Sequence, residues 1–265
     1  MRRAIFLAVA TMLTQPVLAA DMSPYVKAAP PQVKVHATDW SGAYVGAFGG
    51  LGVSTGNAAI HDYSGALIPL DVENNLFPHR IGQNGIGGMI GAGAGFNVQS
   101  GSFVGGIEAD IAYARISATD SYSRVDYIPG SPFQGVSTNT GYSTDFGTLG
   151  TLRARGGFLW GDTLIFGTAG LAGGQVGNRF DLALPEIGYR SPVWSESGVR
   201  MGYAVGGGLE HRLTNNLTLK FDALYVNLAD RVVHGADPAA FPGEGLSYRF
   251  SNDMFVSRLG VSARF

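Results

Sequence analysis

Nine charged side chains carry the most regularly spaced chemistry in this sequence: Glu108, Asp110, Arg153, Arg155, Glu210, Arg212, Lys220, Asp222 and Arg258. Eight of them fall in pairs two residues apart, a spacing that sets both members on one face of a strand. Acids and bases gathered on one face can neutralise one another as ion pairs or line a narrow path for a solute. Catalysis asks for more. Gly52-Val53-Ser54-Thr55-Gly56 fits the serine-nucleophile pattern, but that serine needs a strand, a sharp turn and then a helix, and the residues that follow read as loop. His36, His61, His79, His211 and His234 are scattered, without metal-ligand spacing. His61-Asp62-Tyr63-Ser64 brings a base near a hydroxyl, inside what reads as a long loop, where a solvated polar cluster is expected. With no cysteine there is no disulfide framework, no thiolate metal site and no lipid-modified cysteine. The expectation is a chain with no catalytic residues, no metal and no cofactor.

The charged pairs must be positioned by strands. Eight candidates run over 40–52, 85–98, 103–116, 146–159, 163–175, 198–213, 217–229 and 250–265. In the third, Phe103, Ile107, Ala109, Ile111 and Tyr113 share one face and Glu108 and Asp110 the other. The fourth sets Leu152, Ala154 and Phe158 against Arg153 and Arg155, and the sixth sets Tyr203, Val205 and Leu209 against Arg200, Glu210 and Arg212. In the seventh, Leu217, Leu219, Phe221, Ala223 and Tyr225 oppose Thr218, Lys220 and Asp222, although Leu224, Val226 and Leu228 blur the far end. The last sets Phe255, Leu259, Val261, Ala263 and Phe265 against Arg258 and Arg264. The second strand segregates without charge, apolar Ile86 to Val98 against Gly87, Gly91, Gly93, Gly95 and Asn97; glycine leaves the first and fifth ambiguous. An arginine facing mid-bilayer costs ~2–4 kcal/mol, reason enough for charges to keep to one face.

The connections alternate. Short turns at 99–102, 160–162 and 214–216 take turns with long irregular segments at 53–84, 117–145, 176–197 and 230–249. That asymmetry belongs to transmembrane barrels, with tight periplasmic turns and extended outer loops, and an even strand number puts both termini in the periplasm. Each candidate reaches the ~10 residues that a tilted strand needs to cross the hydrocarbon layer. Trp40, Phe103, Trp160 and Phe265 at the periplasmic ends, with Tyr113 and Tyr225 toward the outer ends, read as interfacial girdles.

Composition agrees. Glycine takes 40 of 265 positions and charged residues are 14%, against roughly 25% in an ordinary soluble domain. No apolar run after the N-terminus is long enough for a membrane helix. A soluble sandwich or lipocalin-like barrel also alternates, but its polar face is wet and should be rich in Lys and Glu. Residues 1–19 have the basic start, short apolar run and small-residue end of a cleaved signal peptide, and 20–39, with Pro24, Pro30 and Pro31, read as a periplasmic leader. Without Arg2 and Arg3 the chain keeps 16 basic residues against 20 acidic ones, no surplus to attract nucleic acid. The fold expected for 40–265 is all-β, an eight-stranded antiparallel up-and-down transmembrane β-barrel in the outer membrane of a Gram-negative cell.

The ordered motifs resemble a family. Trp40-Ser41-Gly42-Ala43-Tyr44-Val45-Gly46 resembles the opening strand of the small outer-membrane barrels of alphaproteobacteria, the outer-membrane immunogenic or porin-family β-barrel proteins, which share the fold of the OmpA transmembrane domain. Gly95-Phe96-Asn97-Val98-Gln99 followed by Phe103-Val104-Gly105-Gly106-Ile107-Glu108-Ala109-Asp110 is similar to their second hairpin. Gly147-Thr148 with Arg153-Ala154-Arg155 matches the fourth strand, with Leu149-Gly150-Thr151-Leu152 stretched relative to the pattern. Val205 to Glu210, Asn215-Asn216 and Tyr225-Val226 resemble the sixth and seventh strands. The C-terminal Val261-Ser262-Ala263-Arg264-Phe265 resembles the segment whose final aromatic the outer-membrane assembly machinery reads. The resemblance implies a surface-exposed envelope component, with outer-membrane lipid, lipopolysaccharide, the assembly machinery and an extracellular or host ligand at the loops as partners. A small-solute porin is the alternative; a lipid A-modifying enzyme stands third.

Overall fold

The computed structural model describes residues 39–265. The expected signal peptide, 1–19, and the leader up to residue 38 lie outside the described residues. Eight long strands form the wall: β1 (Gly42–Ser64), β2 (Arg80–Ser100), β3 (Phe103–Val125), β4 (Ser137–Trp160), β5 (Thr163–Leu184), β6 (Trp194–Arg212), β7 (Leu217–Gly235) and β8 (Gly245–Arg264). Each pairs antiparallel with its neighbour in sequence, and β1 pairs with β8, from Tyr44↔Arg264 to Ser64↔Gly245, which closes the ring. A two-residue strand, Tyr189–Arg190, adds to the outer end of β5. The chain is an up-and-down transmembrane barrel.

Gly101 and Gly161, both with positive φ (61° and 59°), make the tight turns β2–β3 and β4–β5, where a residue with a Cβ would be strained. A third turn, 213–216, joins β6 to β7. At the other end lie 65–79, 126–136, 185–193 and 236–244, the first holding a short helix, α1 (Ile68–Glu73). These ends are called the turn end and the loop end below.

The strands are 19 to 24 residues long, well beyond the expected bounds, so the four long irregular segments are corrected to much shorter loops. The reason lies in the faces. Apolar outward residues, among them Phe96, Ile107, Leu152, Leu171, Leu219 and Leu259, occupy the turn-proximal halves of the strands. Beyond them the outward residues turn polar, as at Ser117, Thr119, Ser121, Ser123, Arg179 and Arg249, and a polar run reads as loop. The inward face stays apolar there: Ala58, Tyr142, Phe180, Val233, Tyr248 and Phe250 pack into a core at the loop end. The two motifs weighed for catalysis, Gly52 to Gly56 and His61 to Ser64, accordingly lie within β1 rather than in a loop.

Pairing shifts register between Phe146 and Leu149 on β4, and between Tyr113 and Ile116 on β3, so the irregularity lies just before the stretched segment Leu149 to Leu152, which itself pairs without a shift. Pairing of β6 with β7 stops at Gly202↔Leu228. Past that point Arg231 pairs with Glu196, and the Trp194 indole donates to the Ala236 carbonyl at 3.1 Å.

The outer wall carries its aromatics in two bands. Phe103 and Phe158 meet edge-on at 5.5 Å at the turn end, where Trp160 and Phe265 are also exposed, while Tyr203, Tyr225 and Phe255 cluster higher on β6, β7 and β8 and Tyr113 is exposed on β3. Trp40 is a correction: it is fully buried, inside the base of the barrel rather than in a girdle.

Candidate functional site: the filled lumen

Period-two geometry brings eight of the nine singled-out charges together. Glu108 and Asp110 come from β3, Arg153 and Arg155 from β4, Glu210 from β6, Lys220 and Asp222 from β7 and Arg258 from β8, every one facing inward. Glu108 is the hub. It accepts from Arg153 Nη2 at 2.6 Å, Lys220 Nζ at 2.6 Å and the Tyr44 hydroxyl at 2.7 Å, with Arg155 Nη1 at 3.4 Å. Arg153 also donates to Asp110 at 2.6 Å and to Thr151 at 2.9 Å. Arg155 reaches across to Glu210 at 2.7 Å, and Arg258 grips Asp222 through two nitrogens at 2.8 and 2.6 Å while touching Asp110 at 3.1 Å. Four carboxylates meet four cations, so the belt is electrically balanced, and all but Lys220 are at least nine-tenths buried. Mutual attraction and hydrogen bonding offset the desolvation of these buried charges, while Asp110 Oδ1, Arg153 Nη1 and Arg155 Nε have no hydrogen-bond partner among the described residues.

Arg212 is the exception. Its Nη2 donates to the Asp39 carbonyl at 2.6 Å, and its guanidinium lies 5.0 Å from the centre of the Trp40 ring. It shares the inward parity of Glu210, but two residues nearer the turn it falls below the belt, in a separate layer with Trp40 and Arg264. Arg264 stacks on Trp40 from 4.4 Å, and its three nitrogens have no hydrogen-bond partner among the described residues.

Aromatic rings complete the belt. Arg155 lies 4.2 Å from the Phe166 centroid, and Arg258 4.5 Å from that of Phe48, separations at which a guanidinium is attracted to a ring face. Sequence reasoning missed Tyr44, Phe48 and Phe166 because glycines on both faces of β1 and β5 hid the register. Those glycines have a use. A Cβ at Gly95 would run into the Tyr44 ring, one at Gly93 would come within 3.0 Å of the Asp110 side chain, and one at Gly208 within 2.8 Å of Asp222. Inward glycine here makes room for large side chains on the opposite register rather than leaving space open. The cavity left among Tyr44, Phe48, Glu108, Lys220 and Arg258 is about 30 Å³, room for a water or two.

Above the belt the residues that blurred the seventh strand find their place. Leu224, Val226 and Leu228 join Met89, Ile116, Phe146, Leu149, Val176, Met254 and Val256 in an apolar plug across the lumen. Higher still, the Asn178 amide donates to Thr144 and to Asn252, each at 2.9 Å, and Thr144 donates to Gln83 at 2.6 Å. The aromatic core at the loop end follows. In a barrel of this size the interior is just wide enough for side chains to fill it, and the described residues fill it in successive charged, apolar, polar and aromatic layers.

Phe265, singled out for assembly, ends β8 with its ring 80% exposed and its amide donating to the Ala43 carbonyl at 3.1 Å. His61 lies near Arg249, Nδ1 to Nη2 3.1 Å, at the loop end of β1.

Comparison with known proteins agrees with this architecture. The family model described as "Outer membrane protein beta-barrel domain" matches residues 5–265. The chain is 27% identical over 264 residues to the 31 kDa outer-membrane immunogenic protein of Brucella melitensis, covering 94% of this chain and 100% of that one. It is 29% identical over 143 residues to the 22 kDa outer membrane protein of Rhizobium leguminosarum bv. viciae, 54% of this chain and 53% of that one. Among solved structures it is similar to the outer membrane protein OprG from Pseudomonas aeruginosa, with 14% identity and a TM-score of 0.43 over 85% of this chain and 96% of that one.

Proposed function

Since the chain belongs to the outer membrane protein beta-barrel family and resides in the outer membrane, we propose that it serves there as a structural, surface-exposed envelope component: a sealed barrel that carries its four loops outside the cell. The observation behind this reading is the filled lumen. A solute path would have to cross both the ion-paired belt around Glu108 and the apolar plug around Leu224, and moving a hydrated ion past either means desolvating it. This weighs against the small-solute porin. The loop-end extension supports display, because strands that outrun the ~10 residues needed for crossing hold the loops clear of the bilayer on a packed core.

Binding residues concentrate on loops held by a rigid scaffold, so the loops are the part that meets an extracellular or host ligand. The printed name of the Brucella relative, an outer-membrane immunogenic protein, is consistent with surface display. No catalytic role is proposed. The apolar outward band faces lipid and, in the outer leaflet, lipopolysaccharide, and Phe265 is the residue presented to the assembly machinery.

Topology and display can be tested on intact cells. Epitope tags inserted at Gly130 and Gly243, both in loops, should bind antibody without permeabilisation, while a tag at Gly101 in the β2–β3 turn should need it. The reverse pattern would overturn the reading.

A further inference from the structure

The loops enclose a second feature. A cavity of about 70 Å³ lies between the aromatic core and the four connections, each of which contributes to its lining. Its walls are rings: Phe77, Phe133, Phe180, Tyr189, Trp194 and Phe241. Phe241 stands edge-on to Phe133 at 5.9 Å and to Tyr189 at 4.9 Å, and Trp194 leans on Phe180 at 5.0 Å. The charged residues in the lining are Asp71, Asp126, Asp237 and Glu244, all carboxylates, with no lysine, arginine or histidine among them.

Three of these acids are already engaged. Glu244 accepts the backbone N–H groups of Ala66, Leu67 and Ile68 at 2.8, 3.0 and 2.9 Å, which ties the first loop to the last. Asp126 accepts from the Ile128 amide at 2.7 Å and from the Ser131 hydroxyl. Asp237 accepts from the Tyr189 hydroxyl at 2.8 Å and the Ala240 amide at 3.3 Å. Asp71, on α1, is different: half-buried, its carboxylate has no donor among the described residues. A carboxylate in a ring-walled space with no cation beside it is a costly arrangement unless a cation arrives.

We propose that this cavity is a binding site for a compact alkylammonium ion, its hydrocarbon body against the rings and its ammonium on Asp71. Aromatic faces attract ammonium groups, more strongly when these are desolvated, and the carboxylate fixes which end points where. The size sets the class. A cavity of about 150 Å³ holds benzene; this one is about half as large, which suits an ammonium on one or two carbons, or the ammonium end of a longer chain whose remaining carbons lie toward the mouth, rather than an aromatic amine. A metal ion fits less well, because the described residues hold no group of three acids or histidines placed to coordinate one and three of the four carboxylates are engaged. The chemistry is that of a free amine or of a lysine side chain offered by a peptide.

Isothermal titration of the refolded full chain in detergent tests this directly, and independently of which way the barrel faces in the membrane. At pH 7.5, ethylamine should bind saturably and ethanol at least tenfold more weakly. Asp71→Asn should weaken the amine at least tenfold, while Asp62→Asn, at an exposed acid outside the cavity, leaves it unchanged. Leu182→Trp fills the space from β5 and should abolish binding with Asp71 intact. Burial, with the neighbouring charges of Asp126 and Glu244, raises the Asp71 carboxyl to about 6, so affinity should fall between pH 7.5 and 5 as it is protonated. Asp237 and Tyr189 complete the ionisable groups around the space, and the same fall persisting in Asp71→Asn would move the effect off Asp71 and overturn the assignment. Nα-acetyl-lysine methylamide separates the two sources: binding equal to ethylamine assigns the site to peptide lysines, and exclusion assigns it to free amines. Equal affinity for amine and alcohol, an unchanged Asp71→Asn, or no binding in a protein that keeps its heat-dependent gel shift would refute the proposal.

Discussion

Replacing Glu108 by Gln keeps the shape of the belt and removes its central charge. In the native belt four carboxylates balance four cations; the variant carries one cation too many inside the barrel. Lys220 suffers most. Its ammonium loses Glu108 at 2.6 Å and keeps one carboxylate, Asp222 at 3.5 Å, with the Phe166 ring 5.4 Å away. Arg153 retains Asp110 and Arg155 retains Glu210. Breaking a buried pair from one side costs about 3–5 kcal/mol when the remaining charge stays dry, and that is the loss expected for Glu108→Gln. Lys220→Met should cost less, because Glu108 still has Arg153, Arg155 and the Tyr44 hydroxyl around it. Combining the two should restore much of the loss, since removing both members of a buried pair is often close to neutral. Urea titrations of refolding into lipid vesicles, read by the heat-dependent gel shift, give all three values and their coupling. A loss under about 1 kcal/mol for Glu108→Gln, the range of exposed pairs, would mean that water already fills the lumen, and the reasoning for a dry, sealed belt would fail.

The other perturbations address the outer face, assembly and the loops. Phe221→Arg, between Lys220 and Asp222 on β7 but pointing outward midway between the two aromatic bands, should cost ~2–4 kcal/mol in vesicles; no loss would show that the faces of β7 are reversed. Deleting Phe265 should lower insertion into the outer membrane while export continues, measured by fractionation, and wild-type insertion would leave it a mere girdle residue. Glu244→Ala should speed hydrogen exchange at Ala66, Leu67 and Ile68. Burial raises the Glu244 carboxyl, but its three backbone donors outweigh burial and hold it below the usual range. The latch should therefore be fully present above the ordinary Glu range and be lost only as pH falls through that lowered value.

The belt was readable where strict alternation and charge coincide. Glu108 and Asp110 stand between Ile107, Ala109 and Ile111, and no other face could take them. Arg212 shows the limit of parity, which gives a side chain's direction but not its depth along the axis. Tyr44 and Phe48 were hidden because β1 has glycine on both faces, and only pairing with β2 and β8 tells which side is inside. Trp40 misled for a related reason: an aromatic at a strand end reads as a girdle until closure brings the Arg212 and Arg264 guanidiniums over its ring. The strand ends were lost to the polarity of the outward residues above the bilayer. The signal for them was present in the inward series Tyr142, Thr144, Phe146 and Tyr248, Phe250, Asn252, Met254, whose period-two spacing runs on beyond the membrane.

The sealed lumen is the claim on which the functional reading stands, and electrical recording across planar bilayers tests it most directly. Proteoliposomes of refolded full chain, with folded protein verified by the gel shift, would be fused to a bilayer in molar salt. The filled lumen predicts a baseline without discrete steps at any protein load. Uniform ohmic steps that scale in number with the protein added, and shift in ion selectivity when Lys220, Arg153 and Arg155 are replaced by small neutral residues, would make the belt the lining of a pore and contradict the account.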